Sequence, residues 1–384
     1  MPKNIEKYLN MYIHIPFCKQ KCYYCDFLSL ENSKRISEYI ECLQKEIVSF
    51  AKEIKEKLNV KTLYIGGGTP SYIDSKYIID VLNCIKENYY INENIEITIE
   101  INPGTINIQK LQDYFINGIN RISIGLQSAD NKLLKDIGRI HRFSDFLKTY
   151  GMVRDVGFKN TNVDIMLGLP NQTIEILEDT INKVIELKPK HISTYSLIIE
   201  NGTRIKSLIN SSEYIMPDEE TERQMYWHIK NKLEENGYKH YEISNFAYPG
   251  FESKHNLDCW RQEEYVGFGL GAHSYIDGFR YSNTENIDEY IYNVNNMSEE
   301  DNITIHEKQT KRDMMKEYMI LGMRVIDGVN IEEFKRKFKA KPLMLFKKEL
   351  QELIKEGYLL IDGNNIKLSE KGIDFANRVW GKFI

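Results

Sequence analysis

Apolar runs and helical periodicities alternate along the first half of the chain. Residues 11–15 form a short apolar run, and Pro16, which has no N–H to offer a ladder, ends the strand it predicts. Residues 35–57 place Ile36, Ile40, Leu43, Ile47, Phe50 and Ile54 at helical spacing, which predicts a long helix. Residues 60–65 predict a strand running into Gly66, Gly67, Gly68, Thr69 and Pro70. Strands are expected again at 95–101, 121–126, 161–166 and 191–197, with helical patterns between them, 174–187 among them. Six strands separated by helices mean βαβ units and a parallel sheet, either doubly wound or a barrel.

Strand parity favours a barrel, open or closed. In residues 95–101 the isoleucines share one face, and Glu96, Thr98 and Glu100 share the other. The apolar face would meet the helices, and the polar face would line an interior able to take a large polar ligand. Ser123, Gly125 and Gln127 fall on one face of their strand, as do Asn162 and Asp164 on theirs, where a core packed for stability alone would carry Val or Leu. After Pro217 the alternation fades. Residues 218–236 look helical, 265–275 are rich in glycine and aromatics, and 299–302 form a polar linker. Short helices follow Glu307, and 357–361 with 366–368 predict a hairpin, so the C-terminal part reads as winged-helix-like. The expected division is 1–240, 241–302 and 303–384.

With 42% apolar and 28% charged residues among 384, this is an ordinary globular composition with ample core. A net charge of −5 argues against a chain built to coat nucleic acid. From Ile331 onward twelve Lys/Arg meet eight Asp/Glu, interspersed as on a solvated helix face, with no basic stripe. No apolar secretory core precedes Met11 and no stretch approaches the ~20 apolar residues of a membrane span, so a cytoplasmic location is expected. Three of the six cysteines are bunched, which implies a reducing compartment; Cys42 and Cys84 read as small core residues.

Cys18, Cys22 and Cys25 follow the first strand as C-x3-C-x2-C. A cubane 4Fe–4S cluster normally takes four thiolates, so three would leave one iron with an open position. Zinc is the alternative, and it would want a fourth ligand, for which His14 is the only histidine nearby. Three thiols within eight residues cannot all pair as disulfides.

This segment resembles the cluster loop of the radical S-adenosylmethionine (SAM) enzymes, with the expected aromatic, Tyr24, before the last cysteine. The preceding Y-I-H-I-P-F-C is similar to the coproporphyrinogen-oxidase-like branch. The resemblance implies a partial (β/α)6 barrel, a 4Fe–4S cluster on Cys18, Cys22 and Cys25, and SAM chelated by the open iron, whose reductive cleavage gives a 5′-deoxyadenosyl radical. For SAM it implies Gly67, Gly68 and Thr69 at the amino group, and Glu100, Gln127, Arg139 and Asp164 at its charges and ribose, with Tyr12, Tyr24 and Ile198 completing the pocket.

Two departures point away from the oxygen-independent coproporphyrinogen III oxidase within this branch. Its fourth cysteine, two after Cys25, is here Phe27, and its N-terminal extension is replaced by ten residues. Both are features of the branch's heme chaperones, which carry HNxxYW as a proposed heme motif. Here that segment is His255, Asn256, Leu257, Asp258, Cys259 and Trp260, with cysteine in place of tyrosine. The resemblance therefore implies heme near His255, Asn256 and Trp260, with Tyr265 and Phe268 as an apolar wall and His273 as a second candidate. Implied partners are heme, a heme-acceptor protein and an electron donor, with peripheral membrane contact left open and no nucleic acid. The oxidase and a zinc-stabilised winged-helix regulator stand as alternatives.

Overall fold

In the computed structural model, which describes residues 8–31, 33–53, 58–296 and 303–384, six parallel strands stand side by side in chain order. They are β1 (Tyr8–Ile15), β2 (Asn59–Gly67), β3 (Tyr90–Ile101), β4 (Arg121–Gln127), β5 (Asn160–Leu167) and β6 (His191–Ser196). Each is followed by helix, as a parallel crossover requires: Ile36–Glu53, Ser75–Asn88, Ile108–Ile116, Phe143–Val156 and Ile174–Leu187 cover the outer face. The expected helix at 35–57 begins at Ile36, after a 3-10 turn, and is described to Glu53; its last expected turn and the linker at 299–302 lie outside the described residues.

The parity argument holds in three dimensions. Ile95, Ile97, Ile99 and Ile101 are buried in the main core, as are the apolar faces of the neighbouring strands. The opposite faces line up as polar rows across the sheet. Tyr64, Thr98, Arg121 and Asn160 are register partners in one row; Glu100, Ser123, Asn162 and His191 form the next. The result is the partial barrel with a polar interior.

Short strands extend this sheet on both sides. Beyond β6 lie β7 (Lys239–Glu242) and β8 (Asn245–Ala247), and beside β1 lie β9 (Tyr265–Phe268), β10 (His273–Ile276), β11 (Phe279–Asn283) and β12 (Ile303–Lys308). The glycine-rich segment is thus partly strand, with β9 running parallel to β1. Its glycines serve close packing: at Gly267 a Cβ would sit 2.3 Å from the His273 carbonyl oxygen. Strands of three to six residues broken by glycine carry too few positions to show a period.

The C-terminal part has its own apolar core around Met319, Phe334, Phe346, Leu353 and Ile366. Its hairpin is β14 (Leu359–Asp362) with β15 (Asn365–Leu368), turning at Gly363, whose φ is 57°, and β13 (Val329–Asn330) adds a third strand. It hangs on the far edge of the barrel sheet: Ile326 N–H donates to the Tyr241 carbonyl at 3.0 Å and Ile243 N–H to the Arg324 carbonyl at 3.1 Å. Arg324 then reaches Glu242, a fully buried carboxylate, through Nε at 3.1 Å and Nη2 at 2.8 Å.

Candidate functional site at the mouth of the barrel

The cysteine loop leaves the C-terminal end of β1 and is pinned at both ends. Leu30 N–H donates to the Pro16 carbonyl at 2.6 Å and Cys18 N–H to the Leu30 carbonyl at 2.9 Å, while Tyr23 N–H reaches the Ile137 carbonyl at 3.0 Å. Cys18 is buried with its Sγ 3.3 Å from Thr69 Oγ1; Cys22 and Cys25 are half-buried and line a cavity of about 670 Å³ with Lys21, Asp26, Glu31 and Arg204. Burial pushes the Cys18 thiol up, and the Cys25 thiol to about 11.

The GGGTP turn after β2 is pressed against this loop. Gly67 has φ 110°, and a Cβ there would meet the His14 ring at 2.7 Å. At Gly68 a Cβ would come within 2.9 Å of Pro16 C and 3.0 Å of Cys18 Sγ. Only glycines let the two loops close over one site. Tyr12 hydrogen-bonds His14 Nδ1 at 3.0 Å, and His14 Nε2 holds the Leu28 carbonyl at 3.0 Å, which ties the cysteine loop back to β1.

Arg139 enters from the loop after β4. Its Nη1 donates to Cys22 Sγ at 3.6 Å, its Nη2 to Asn102 Oδ1 and the Gly125 carbonyl, both at 2.5 Å, and the Tyr24 hydroxyl bears on the same guanidinium. Its Nε is sealed from solvent without a hydrogen-bond partner among the described residues. Glu100 accepts from the Tyr64 hydroxyl at 2.7 Å and from Gly67 N–H at 3.3 Å, and burial first, with Asp164 also raising it, pushes its carboxyl up to about 7. Asp164 accepts from Ser123 Oγ at 3.1 Å and Asn162 Nδ2 at 2.7 Å. Gln127, at the end of β4, holds φ 74°, a left-handed backbone for a residue with a Cβ. Ile198 is 69% exposed, at the rim after β6.

Three residues here escaped the sequence reading. Asn102 bridges Thr69 Oγ1, at 2.9 Å, and Arg139, so it couples the glycine turn to the guanidinium. Tyr64 and Arg121 lie on the interior face, which the parity rule used at Glu96 would have found. These donors suit a thiolate-bound cluster and its ligand: free thiols on one loop, a glycine cradle, and an arginine with an N–H to spare.

The HNLDCW segment lies elsewhere, on the helix Lys254–Trp260 that plugs the barrel floor. Glu96 accepts the backbone N–H groups of Lys254 at 3.2 Å and His255 at 3.1 Å, so an interior carboxylate holds the first turn of that helix. The His255 ring sits inside the barrel, 5.2 Å from the Tyr64 ring centroid, with Nδ1 2.7 Å from Thr62 Oγ1. Trp260 instead stacks under the Arg324 guanidinium, 4.3 Å from the ring centroid. Phe268, expected to wall a heme, turns into the helix layer and meets Phe50 edge-on at 5.4 Å, because its parity on β9 is that of the core. Cys259 carries a thiol pushed up to about 12 by burial. His273 stacks on His306 at 5.4 Å, on the outlying strands. Among the described residues no helix is long and apolar enough to cross a membrane.

Comparison with known proteins agrees with this architecture. Residues 12–184 match the Radical SAM superfamily and residues 309–375 the HemN C-terminal domain. The chain is 36% identical to heme chaperone HemW of Lactococcus lactis over 99% of this chain and 98% of the relative. It is 35% identical to heme chaperone HemW of Bacillus subtilis over 97% and 98%. The coproporphyrinogen III oxidase HemN of Escherichia coli shares the fold, with a TM-score of 0.84 at 23% identity over 98% of this chain and 90% of that one. The chain therefore belongs to the radical SAM superfamily, in the HemW group of its coproporphyrinogen-oxidase-like branch.

Proposed function

We propose that this chain is a heme chaperone that holds a 4Fe–4S cluster on Cys18, Cys22 and Cys25, binds SAM beside it, and passes heme to an acceptor protein. The observation that carries this reading is near full-length similarity to relatives curated as heme chaperones. Phe27 supports it: the side chain is 65% exposed where the oxidase has its fourth cysteine.

Bound there, the cluster would supply an electron and an open coordination position. The chain's own residues do the rest. Arg139 would offer its Nε–H to a carboxylate, Glu100 when ionised would take an ammonium, and Asp164 and Gln127 would meet ribose hydroxyls. Asn102 and the Gly125 carbonyl hold the guanidinium in place. At the floor, Thr62 O–H donates to Asn10 Oδ1 at 2.7 Å, so Thr62 Oγ1 accepts from His255 Nδ1–H and the lone pair stays on Nε2. That is the tautomer of an axial ligand, held by a partner on the other nitrogen. A heme on His255 requires the helix Lys254–Trp260 to swing off the floor; Asn256 and Trp260 would flank it.

The test is anaerobic reconstitution followed by heme titration and transfer to a heme-free acceptor. Saturable heme uptake with His255→Ala shifting the Soret band, and no turnover of coproporphyrinogen III with SAM, is the expected result. Stoichiometric protoporphyrinogen formation would make the chain an oxidase instead.

A further inference from the structure

Below the mouth, the barrel floor contains polar groups that none of the described residues satisfies. Arg121, the first residue of β4, is 2% exposed, the largest fully buried side chain of the protein. None of its guanidinium nitrogens has a hydrogen bond or ion pair among the described residues. Its Nε is sealed from solvent, and the residue as a whole keeps only 2% exposure. Its register partners on both sides are equally unsatisfied: Thr98 Oγ1 on β3 and Asn160 Oδ1 on β5 are enclosed without partners. Both side chains share the interior parity of Arg121. The same floor carries His255, whose Nε2 lone pair has no donor.

Neighbouring groups supply charge but no hydrogen bond to this guanidinium. Arg121 acts electrostatically to lower the carboxyls of both Glu100 and Asp164, yet Glu100 accepts from Tyr64 and Gly67, and Asp164 from Ser123 and Asn162. His191 is spoken for at both nitrogens, by Asn162 Oδ1 at 2.6 Å and Tyr241 OH at 2.7 Å. A buried guanidinium whose N–H donors are left unpaired is unfavourable even with opposite charge nearby. Water could satisfy Thr98 and Asn160 singly, but one water does not match the two parallel N–H donors of a guanidinium fork.

We propose that the barrel floor is a binding site for a small planar oxyanion of the carboxylate or hydrogencarbonate kind, held by Arg121 in the bidentate manner that guanidinium geometry favours. Thr98 Oγ–H donates to the same anion. A hydrogencarbonate, which keeps one O–H, can also donate to Asn160 Oδ1, whereas formate cannot. The site is separate from the cysteine loop and rests on neither the cluster nor the heme reading.

The experiment uses the full chain with its cluster reconstituted, titrated with sodium formate, sodium hydrogencarbonate and sodium chloride at constant ionic strength. Carbon-13-edited infrared spectra and the thermal midpoint are both read. Saturable binding of formate or hydrogencarbonate, with a shifted carboxylate or carbonate band and a rising midpoint, is expected; tighter binding of hydrogencarbonate assigns the O–H donor, and tighter formate binding assigns the carboxylate. Arg121→Met should fold, because an apolar side chain replaces a guanidinium whose donors are unpaired, and its midpoint should no longer respond to oxyanion. Arg121→Lys keeps the charge without the fork and should weaken binding about tenfold or more. Asn160→Asp places a like charge beside the anion and should abolish binding while cluster absorbance is kept. No saturable oxyanion binding by the unaltered chain, equal binding of chloride, or an unchanged midpoint response in Arg121→Met would overturn the proposal.

Discussion

The mouth and the floor of this barrel are both polar, yet they are built in opposite ways. At the mouth, two short contiguous stretches, the cysteine loop and GGGTP, carry the thiols and the glycine turn, and Glu100, Asn102 and Arg139 close on them from later in the chain. Cys22 and Cys25 stay half-open to a cavity. At the floor, each contact joins residues far apart in the chain, Thr62 with His255, and Glu96 with the amide of the same residue. The difference teaches where to look for chemistry: the mouth keeps donors free for a ligand, whereas most of the floor is spent on holding a helix in place. Tyr64 joins the two, giving its hydroxyl to Glu100 above and its ring face to His255 below.

The sharpest test of this contrast is at the thiols. Changing Cys18, Cys22 or Cys25 to Ala should abolish 4Fe–4S absorbance, while Cys42→Ala, Cys84→Ala and Cys259→Ala keep it. Loss of the cluster in Cys259→Ala alone would transfer the metal site to the floor helix. Next in size, Arg139→Ala should weaken SAM binding about 10- to 150-fold with iron content unchanged, since a charge-assisted hydrogen bond contributes about 1.5–3 kcal/mol. Equilibrium dialysis with labelled SAM decides it, and unaltered affinity would move the SAM site elsewhere.

At the floor, Glu96→Gln should lower stability by about 1–2 kcal/mol in urea unfolding, because it weakens the hold on the first turn of the helix Lys254–Trp260. SAM affinity should not change; if it falls as far as in Arg139→Ala, the two regions are not distinct. The smallest effect is in pH dependence, and its sign differs between the regions. Glu100, raised to about 7 from an ordinary carboxyl near 4.5, makes the folded state bind the extra proton, so its contribution weakens stability as pH rises from about 4.5 to 7. His255, lowered to about 4 by burial and by Arg121, does the reverse: its contribution is lost as pH falls from about 6.5 to 4. Unfolding free energies across pH 4–8 for Glu100→Gln and His255→Asn, each against the unaltered chain, should therefore show difference curves of opposite slope. Parallel slopes would refute the assignment of distinct environments.

Much of this molecule was legible in its residues. The six strands of the barrel follow from short apolar runs and, at 95–101 and 121–126, from period-two alternation, and the helix Ile174–Leu187 from apolar spacing alone. The cysteine loop and the glycine turn were legible because each is local, a few neighbouring residues whose types already specify the geometry. The outlying strands β7 to β11 were not, because each is three to five residues long and is stabilised by the neighbour it pairs with rather than by its own pattern.

What the sequence determined by itself is therefore the alternating frame and the local loop that carries the thiols, since periodicity and spacing act between near neighbours. What only the tertiary structure decided is which interior polar groups find partners. The six residues of the HNLDCW segment are contiguous, yet His255 enters the barrel and Trp260 faces Arg324 of the C-terminal part, because a helix turns successive side chains to different sides. Arg121 lies 23 positions after Thr98 and 39 before Asn160, and only the register of three parallel strands sets them in one row. Hydrogen-bond satisfaction in a closed interior depends on that register, and no stretch of sequence contains it.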